Sequence, residues 1–494
     1  MFTSVKSLYD RITLTPLTAI FFLFCFVHCF VEGFIQAYIY TTDSTAYGVT
    51  TSILQQAKVP DSDFSILRRT PGNDTLQLCN MVPTYVAAQQ CELIFETGHP
   101  NMTVPQNFNL TNGNESKLFA DTDLKISATP DSDDSVHVTL FSGESVTMNQ
   151  MCTLVLTYPH QVLMNAERED IVLVVTQFWI LCISVFAIAY TSVPHLIAAL
   201  CFRTLATAWS MYIIWRTNDI YSRFTLLLEH EDSPCQVKVD ELFAGYFATR
   251  RNLQHLKIPD LTLNTVALAV SIYLTVKLIK IYGPNTFNRV GAPKHIIRIY
   301  NYFLAVFVSF QLAAFLLVAM VCLWLDQMLD KGNAIGDSTF HRPLYIALSI
   351  CTLALLTPWI AMGWYSVRRE WKRLMLGFLG ISAIIFASWI LMAKSWSFAF
   401  TFVNWPFFAC LIVASTLSLL STIVFGVLSL LHFGKGLAHY LYVDQVLAKA
   451  GFEEDVFEKD VSAKEKEWDE LDMSDMPTYT LNFTTQIQNR DVEK

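Results

Sequence analysis

Charge is what this chain has least of. Only 16% of its 494 residues are Asp, Glu, Lys or Arg, against roughly a quarter in a soluble domain. Positive charge is scarcer still: 34 Lys and Arg face 43 Asp and Glu, a formal net charge of -9. The basic footprint of a nucleic-acid-binding protein is therefore missing. Catalytic signatures are missing too, since no G-x-S-x-G, H-E-x-x-H or P-loop occurs. His255…Asp260 and His439…Asp444 match the H-x4-D spacing of some acyltransferases, a match that eleven histidines produce once or twice by chance. The remaining histidines show no metal-ligand spacing with cysteine or carboxylate. The expectation is a protein that is not an enzyme and carries no cofactor and no metal.

What the chain has instead is apolar surface. Hydrophobic residues make up 53%, with 36 Phe, 19 Tyr and 11 Trp, and several runs approach the ~18 residues that mark a membrane span. That excludes a soluble enzyme, a disordered regulator and a single-pass receptor. The first run, Pro16–Tyr40, follows Lys6 and Arg11. It outlasts the 7–15-residue core of a signal peptide, and Val31-Glu32-Gly33 is a poor cleavage site, so an uncleaved signal-anchor is favoured. Seven more candidates follow: Ile171–Val193, Leu196–Trp215, Leu261–Val276, Tyr302–Leu325, Leu344–Trp364, Leu374–Ala393 and Phe407–Phe433. Leu261–Val276 is the weakest, being short and containing Asn264. Pro358 should kink the sixth span.

Lys and Arg in the short loops set the orientation. With a cytoplasmic N-terminus, nine of them (Lys277, Lys280, Arg289, Lys294, Arg298, Arg368, Arg369, Lys372, Arg373) lie inside and three (Lys331, Arg342, Lys394) outside. Both ends then face the cytoplasm, and 41–170, 216–260, 326–343 and 394–406 face outward. The expected organisation is a cytoplasmic N-terminus (1–15), a signal-anchor (16–40), an extracytoplasmic domain (41–170), a seven-span bundle (171–433) and an acidic cytoplasmic tail (434–494). The fold class is a membrane α-helical bundle of about eight spans with a small extracytoplasmic β-sandwich-like domain.

The long outer segment carries four N-x-[ST] acceptors, Asn73, Asn101, Asn109 and Asn114, each a glycosylation candidate. Asn482 fits the pattern as well, but it falls in the cytoplasmic tail and is read as chance. Cys79, Cys91, Cys152 and Cys235 fall on the outer side, an even number in an oxidising space. Four cysteines allow three pairings; Cys79–Cys91 with Cys152–Cys235 is the one favoured here. Alternating runs, Val136 to Leu140 and Cys152 to Thr157, bounded by turn-forming clusters, read as antiparallel strands. The tail beyond about Phe457 is acidic and poor in apolar residues, which favours disorder.

Ionisable and amide groups inside spans are costly and mark candidate sites. They are His28, Glu32, Gln177, Arg203 and Gln311. His28 and Glu32, four apart, share one helix face. Arg203 lies ~12 Å into its span, with Gln311 a candidate partner. The plainer reading of all five is a polar clasp between helices, worth ~0.6–2 kcal/mol each. The sharper one is a transport path, which calls for a series of polar groups that the sequence does not display. The inner loop Lys277–Lys294 is basic, aromatic and turn-rich, able to contact anionic lipid heads or a cytoplasmic partner.

Several of these segments resemble a known group: Ile258–Asn264, Tyr282-Gly-Pro-Asn-Thr-Phe-Asn-Arg-Val-Gly291, Trp324-Leu-Asp-Gln327, Trp364-Tyr-Ser-Val-Arg-Arg369 and Phe433-Gly-Lys-Gly-Leu437. Over about Ile171–Tyr440 the chain is similar to multi-pass proteins common in basidiomycete fungi, which carry no assigned activity. It is also similar to the smut-fungus tumour-associated membrane proteins, which are needed for virulence and found at hyphal tips. In layout alone it looks like seven-helix proteins with a Golgi-dynamics-type ectodomain. A G-protein-coupled receptor fits less well, because neither an Asp-Arg-Tyr-like end nor an Asn-Pro-x-x-Tyr is present. The functional expectation is a non-enzymatic glycosylated surface protein of a fungus, a sensor, receptor or scaffold at the plasma membrane. Its partners would be membrane lipids, an extracellular or cell-wall ligand and a cytoplasmic protein, and no nucleic acid. The alternative is a transporter or channel, or a trafficking protein of the secretory endomembranes.

Overall fold

A computed structural model describes residues 5–59, 64–79, 82, 91–99, 128–130, 135–139, 145–243, 246–247, 254–287, 294–329, 334–337, 339 and 341–435. Among the described residues, eight helices are long and apolar enough to cross a membrane. They are α1 (Pro16–Gln56), α2 (Thr157–Ala189), α3 (Val193–Leu228), α4 (Gln254–Phe287), α5 (Lys294–Leu329), α6 (Arg342–Arg369), α7 (Lys372–Ala393) and α8 (Pro406–Leu431). The chain is a multi-pass helical membrane protein. Each of the eight apolar runs read from the sequence falls on one of these helices, though Ile171–Val193 runs past the end of α2 at Ala189 and Phe407–Phe433 past the end of α8 at Leu431.

Helix starts follow local chemistry. At α1, Thr15 and Thr18 form a reciprocal capping box and Pro16 takes the first helical position, where its missing N–H costs nothing. Proline also opens α3, α6 and α8. α5 is the central helix: 72% of its most apolar window is buried, against 22–44% for the other seven. Around it, Trp324, Trp359, Phe310, Phe378 and Phe408 pack into the main intramembrane core. The peripheral helices turn Ile20, Leu23, Phe34, Leu376, Ile384 and Leu417 outward, toward the position of lipid tails.

α1, α2 and α3 run well past their apolar segments at one end. α1 has 41 residues, ~60 Å of helix against ~30 Å of hydrocarbon, and does not end at Tyr40. α2 begins at Thr157 rather than Ile171, and α3 continues past Trp215 to Leu228. Their ends protrude on one side and are covered by the strands. β1 (Phe64–Thr70), β2 (Asn73–Cys79) and β3 (Cys91–Glu96) form one antiparallel sheet; β4 (Ala128–Pro130), β5 (Val136–Thr139) and β6 (Ser145–Met148) form another. Leu76, Leu78, Ile94 and Phe95 from the first sheet and Val136, Val138 and Met148 from the second join Ile53 of α1, Leu163 of α2 and Phe224 of α3 in one core.

The expected β-sandwich is thus met only as two small antiparallel sheets among the described residues. The Val136 strand forms as read, with Val136 and Val138 buried around an exposed His137. The Cys152–Thr157 strand does not. Residues Gln150–Val155 are a helix, capped by the Asn149 side chain accepting from the Cys152 N–H at 2.8 Å, and α2 follows directly. The alternation there was only apparent, because the Thr153 and Thr157 hydroxyls donate to the Gln150 and Leu154 carbonyls. A threonine satisfied by its own backbone can be buried, and Met151 through Tyr158 are all buried.

Candidate functional site

α1 is built with its polar side inward. His28, Glu32, Gln36 and Asp43 are spaced so that one face carries them all, and all four are buried. From His28 to Asp43 the stripe runs ~22 Å along the axis. It faces α3, which supplies Arg203, Thr207 and Ser210, and α4, which supplies Asp260 and Asn264, every one of them buried.

At the end of the stripe away from the sheets, Arg203 Nη1 donates to His28 Nδ1 at 3.0 Å. A guanidinium can only donate, so Nδ1 is the accepting nitrogen and the ring proton sits on Nε2, which has no hydrogen-bond partner. The guanidinium also lies over the Phe24 ring, 5.2 Å from its centroid, a favourable cation–π placement.

One turn further along α1 is a pair of carboxyls. Gln36 Nε2 donates to Glu32 Oε1 at 3.0 Å and to Asp260 Oδ1 at 3.2 Å. Asn264 Nδ2 donates to the same two oxygens, at 3.0 and 3.3 Å, and to Ser210 Oγ at 3.1 Å. Two amides therefore bracket two carboxyl oxygens from both sides. Thr207 Oγ1 donates to the Arg203 carbonyl at 2.9 Å and to the Asn264 carbonyl at 3.3 Å, tying α3 to α4 beneath the pair.

A second polar layer lies toward the sheets. Glu169 of α2 accepts from Arg216 Nη1 at 2.5 Å and from Trp405 Nε1 at 2.6 Å. Arg168 pairs with Asp326 at 2.6 Å, and Gln327 Nε2 donates to Asn165 Oδ1 at 3.2 Å. A cavity of about 30 Å³ joins the two layers, lined among others by Gln36, Asp260, Glu169, Asp170 and Arg216. That is room for water, with enough polar partners to hold it.

Of the residues singled out from the sequence, His28, Glu32 and Arg203 come together. Gln311 does not join them: it is buried on α5 with neither side-chain amide atom hydrogen-bonded, and Arg203 takes His28 instead. Gln177 is buried on α2 with its Oε1 unpaired. Gln36, Asp43, Ser210, Asp260 and Asn264 were missed, and the absence of a polar series read from the sequence is corrected by them. The available signal was the spacing of four from His28 through Glu32 to Gln36. In the sequence Asp260 stands out only as the end of an H-x4-D match, whose His255 lies outside the described side chains.

Cys79–Cys91 and Cys152–Cys235 are disulfide-bonded, the pairing favoured from the sequence. The second joins the segment before α2 to the segment after α3, so 41–170 and 216–260 share one side of the bundle. Asn73 is exposed at the start of β2, its Nδ2 donating to Glu96 Oε1 at 2.7 Å. Asn101, Asn109, Asn114, His439, Asp444, Asn482 and the tail from 436 lie outside the described residues. No protein-family model matches this chain, and no curated protein or solved structure is similar to it.

Proposed function

We propose that this is a non-enzymatic membrane sensor or receptor whose sheet-bearing domain binds an external partner and reports it to the helical bundle. The observation that supports this is the passage of α1, α2 and α3 from the membrane into the domain's own core without a break. A displacement of the sheets acts directly on three helices that continue into the membrane, and the Cys152–Cys235 bridge holds the stems together. In this reading the surface is that of a fungal plasma membrane, hyphal tips included, with a role in virulence. The domain is glycosylated at Asn73, Asn101, Asn109 and Asn114 and meets a cell-wall or extracellular ligand. The basic inner loops and acidic tail meet lipid heads and a cytoplasmic protein.

The test is complementation in cells lacking the gene, with a C-terminal fluorescent fusion to report the membrane reached. Replacing residues 60–148 by a short Gly-Ser linker keeps all eight helices and the Cys152–Cys235 bridge. That variant should reach the same membrane and fail to complement, while Arg203→Ala complements. A second reading, a transporter or channel, is favoured by the buried polar series on α1. It expects the opposite pair of results: Arg203→Ala inactive at the surface, the linker variant active.

A further inference from the structure

Glu32 and Asp260 are two buried carboxyls in contact, and neither has an ion pair among the described residues. Glu32 Oε1 and Asp260 Oδ1 share the same two donors, Gln36 and Asn264, both neutral amides. Glu32 is fully buried, its other oxygen, Oε2, has no hydrogen-bond partner, and the Asp260 carboxyl lies against it. The neighbouring groups do not supply a counter-charge directly. On α1 and α3, one turn away from the sheets, Arg203 is engaged with neutral His28; on α2, Glu169 holds Arg216 and Asp170 adds a further carboxyl at the cavity wall. Asp43 on α1 is another buried acid. Two like charges cannot both persist in contact in a low-dielectric interior without a positive charge between them.

We propose that the Glu32–Asp260 pair is a binding site for one monovalent positive charge, a proton or a sodium-sized cation in its place. The oxygens on hand are those of the two carboxyls and Ser210 Oγ, which suit a hard cation, while Gln36 and Asn264 turn their side-chain N–H groups toward the pair. No group of three or more His, Cys, Asp or Glu is disposed to hold a metal ion among the described residues. On the side toward the sheets the pair borders the small cavity, which runs from Asp260 and Gln36 to Glu169 and Arg216. The proposal concerns occupancy alone and holds whether the bundle signals or transports.

The experiment uses the purified full-length protein in lipid nanodiscs. Thermal unfolding is followed while sodium chloride replaces choline chloride at constant ionic strength over a range of pH. Infrared spectra of the same samples are read for a protonated-carboxyl C=O band. If sodium binds, it stabilises the protein saturably, and its apparent affinity is constant at high pH and falls about tenfold per unit of acidification once the pair begins to protonate, as one-for-one competition with a proton requires. If the occupant is the proton alone, sodium has no effect beyond choline, and the carboxyl band is present and disappears in Glu32→Gln or Asp260→Asn. Either result, the first with the sodium shift lost in Glu32→Gln or Asp260→Asn, supports the site and tells the two occupants apart; a sodium shift that survives both substitutions overturns it. A wild-type protein with no sodium shift, whose carboxyl band is absent or survives both substitutions, overturns it. The wild-type titration stands even where one variant fails to fold.

Discussion

Glu32 and Glu169 are both buried glutamates near the sheet-bearing end of the bundle, yet their surroundings make them different residues. Glu169 accepts from Arg216 and Trp405 and closes a tie between α2, α3 and the start of α8. Glu169→Ala strands a guanidinium and an indole N–H, so it should lower stability by on the order of 3 kcal/mol; Glu169→Gln keeps an acceptor and should cost less. Thermal unfolding of the solubilised variants measures the order. Gly363 makes the opposite point about size. A Cβ there would stand 2.8 Å from the Phe378 ring and 2.9 Å from the Phe310 ring, rings that pack in the main core on α7 and α5. Gly363→Ala should cost about 1–3 kcal/mol through overpacking, whereas Gly380→Ala, with nothing within 4 Å, should be close to neutral in the same assay. His28, Glu32 and Arg203 were legible because charge inside an apolar run stands out in one dimension. Asp260 was not, because it sits at the very start of its run and reads as a loop residue until α1 is laid beside it.

Among elements, the helices that outlast their apolar segments decide how the domain is held. Hydropathy marks where apolar composition ends, and composition changes at Tyr40 although the helix does not. Beyond it α1 exchanges lipid for protein: Ala46, Val49 and Ile53 are buried under the sheets. The two disulfides act on different ranges, with sequence separations of 12 for Cys79–Cys91 and 83 for Cys152–Cys235. On loop entropy alone the longer should contribute about 1.7 kcal/mol more. The Cys152→Ser/Cys235→Ser double variant should therefore unfold at a lower temperature than Cys79→Ser/Cys91→Ser. It should also be the one that loosens α2 from α3, read as faster amide exchange over 150–165 and 216–228. Equal effects in both readouts would mean that packing of the stems, not the bridge, holds the domain.

For the whole molecule, the pattern of basic loops and the shared side of 41–170 and 216–260 agree. The Cys152–Cys235 bridge requires that those two segments meet in one compartment, as the charge count in the short loops expects. Glycosidase treatment of the membrane-inserted protein should accordingly sharpen a heavier band to the mass of the chain. Asn73→Gln should remove one step of that shift, since Asn73 is exposed on β2, while Asn482→Gln leaves it unchanged. A shift that persists undiminished in Asn73→Gln and drops in Asn482→Gln would reverse the orientation of the bundle.

Membrane class, the eight spans and their alternation follow from composition along the chain, because the cost of placing charge in hydrocarbon is paid residue by residue. Which polar groups meet does not. Glu32 and Asp260 are separated by more than two hundred residues and two other spans, and only the packing of α1 against α3 and α4 brings their carboxyls to the same pair of amides. The same holds for Cys152–Thr157, where one stretch suits a strand or a helix by pattern. The Asn149 cap is local and tips the stretch toward a helix, but the burial against α1 and the sheets that settles it exists only once the chain has folded.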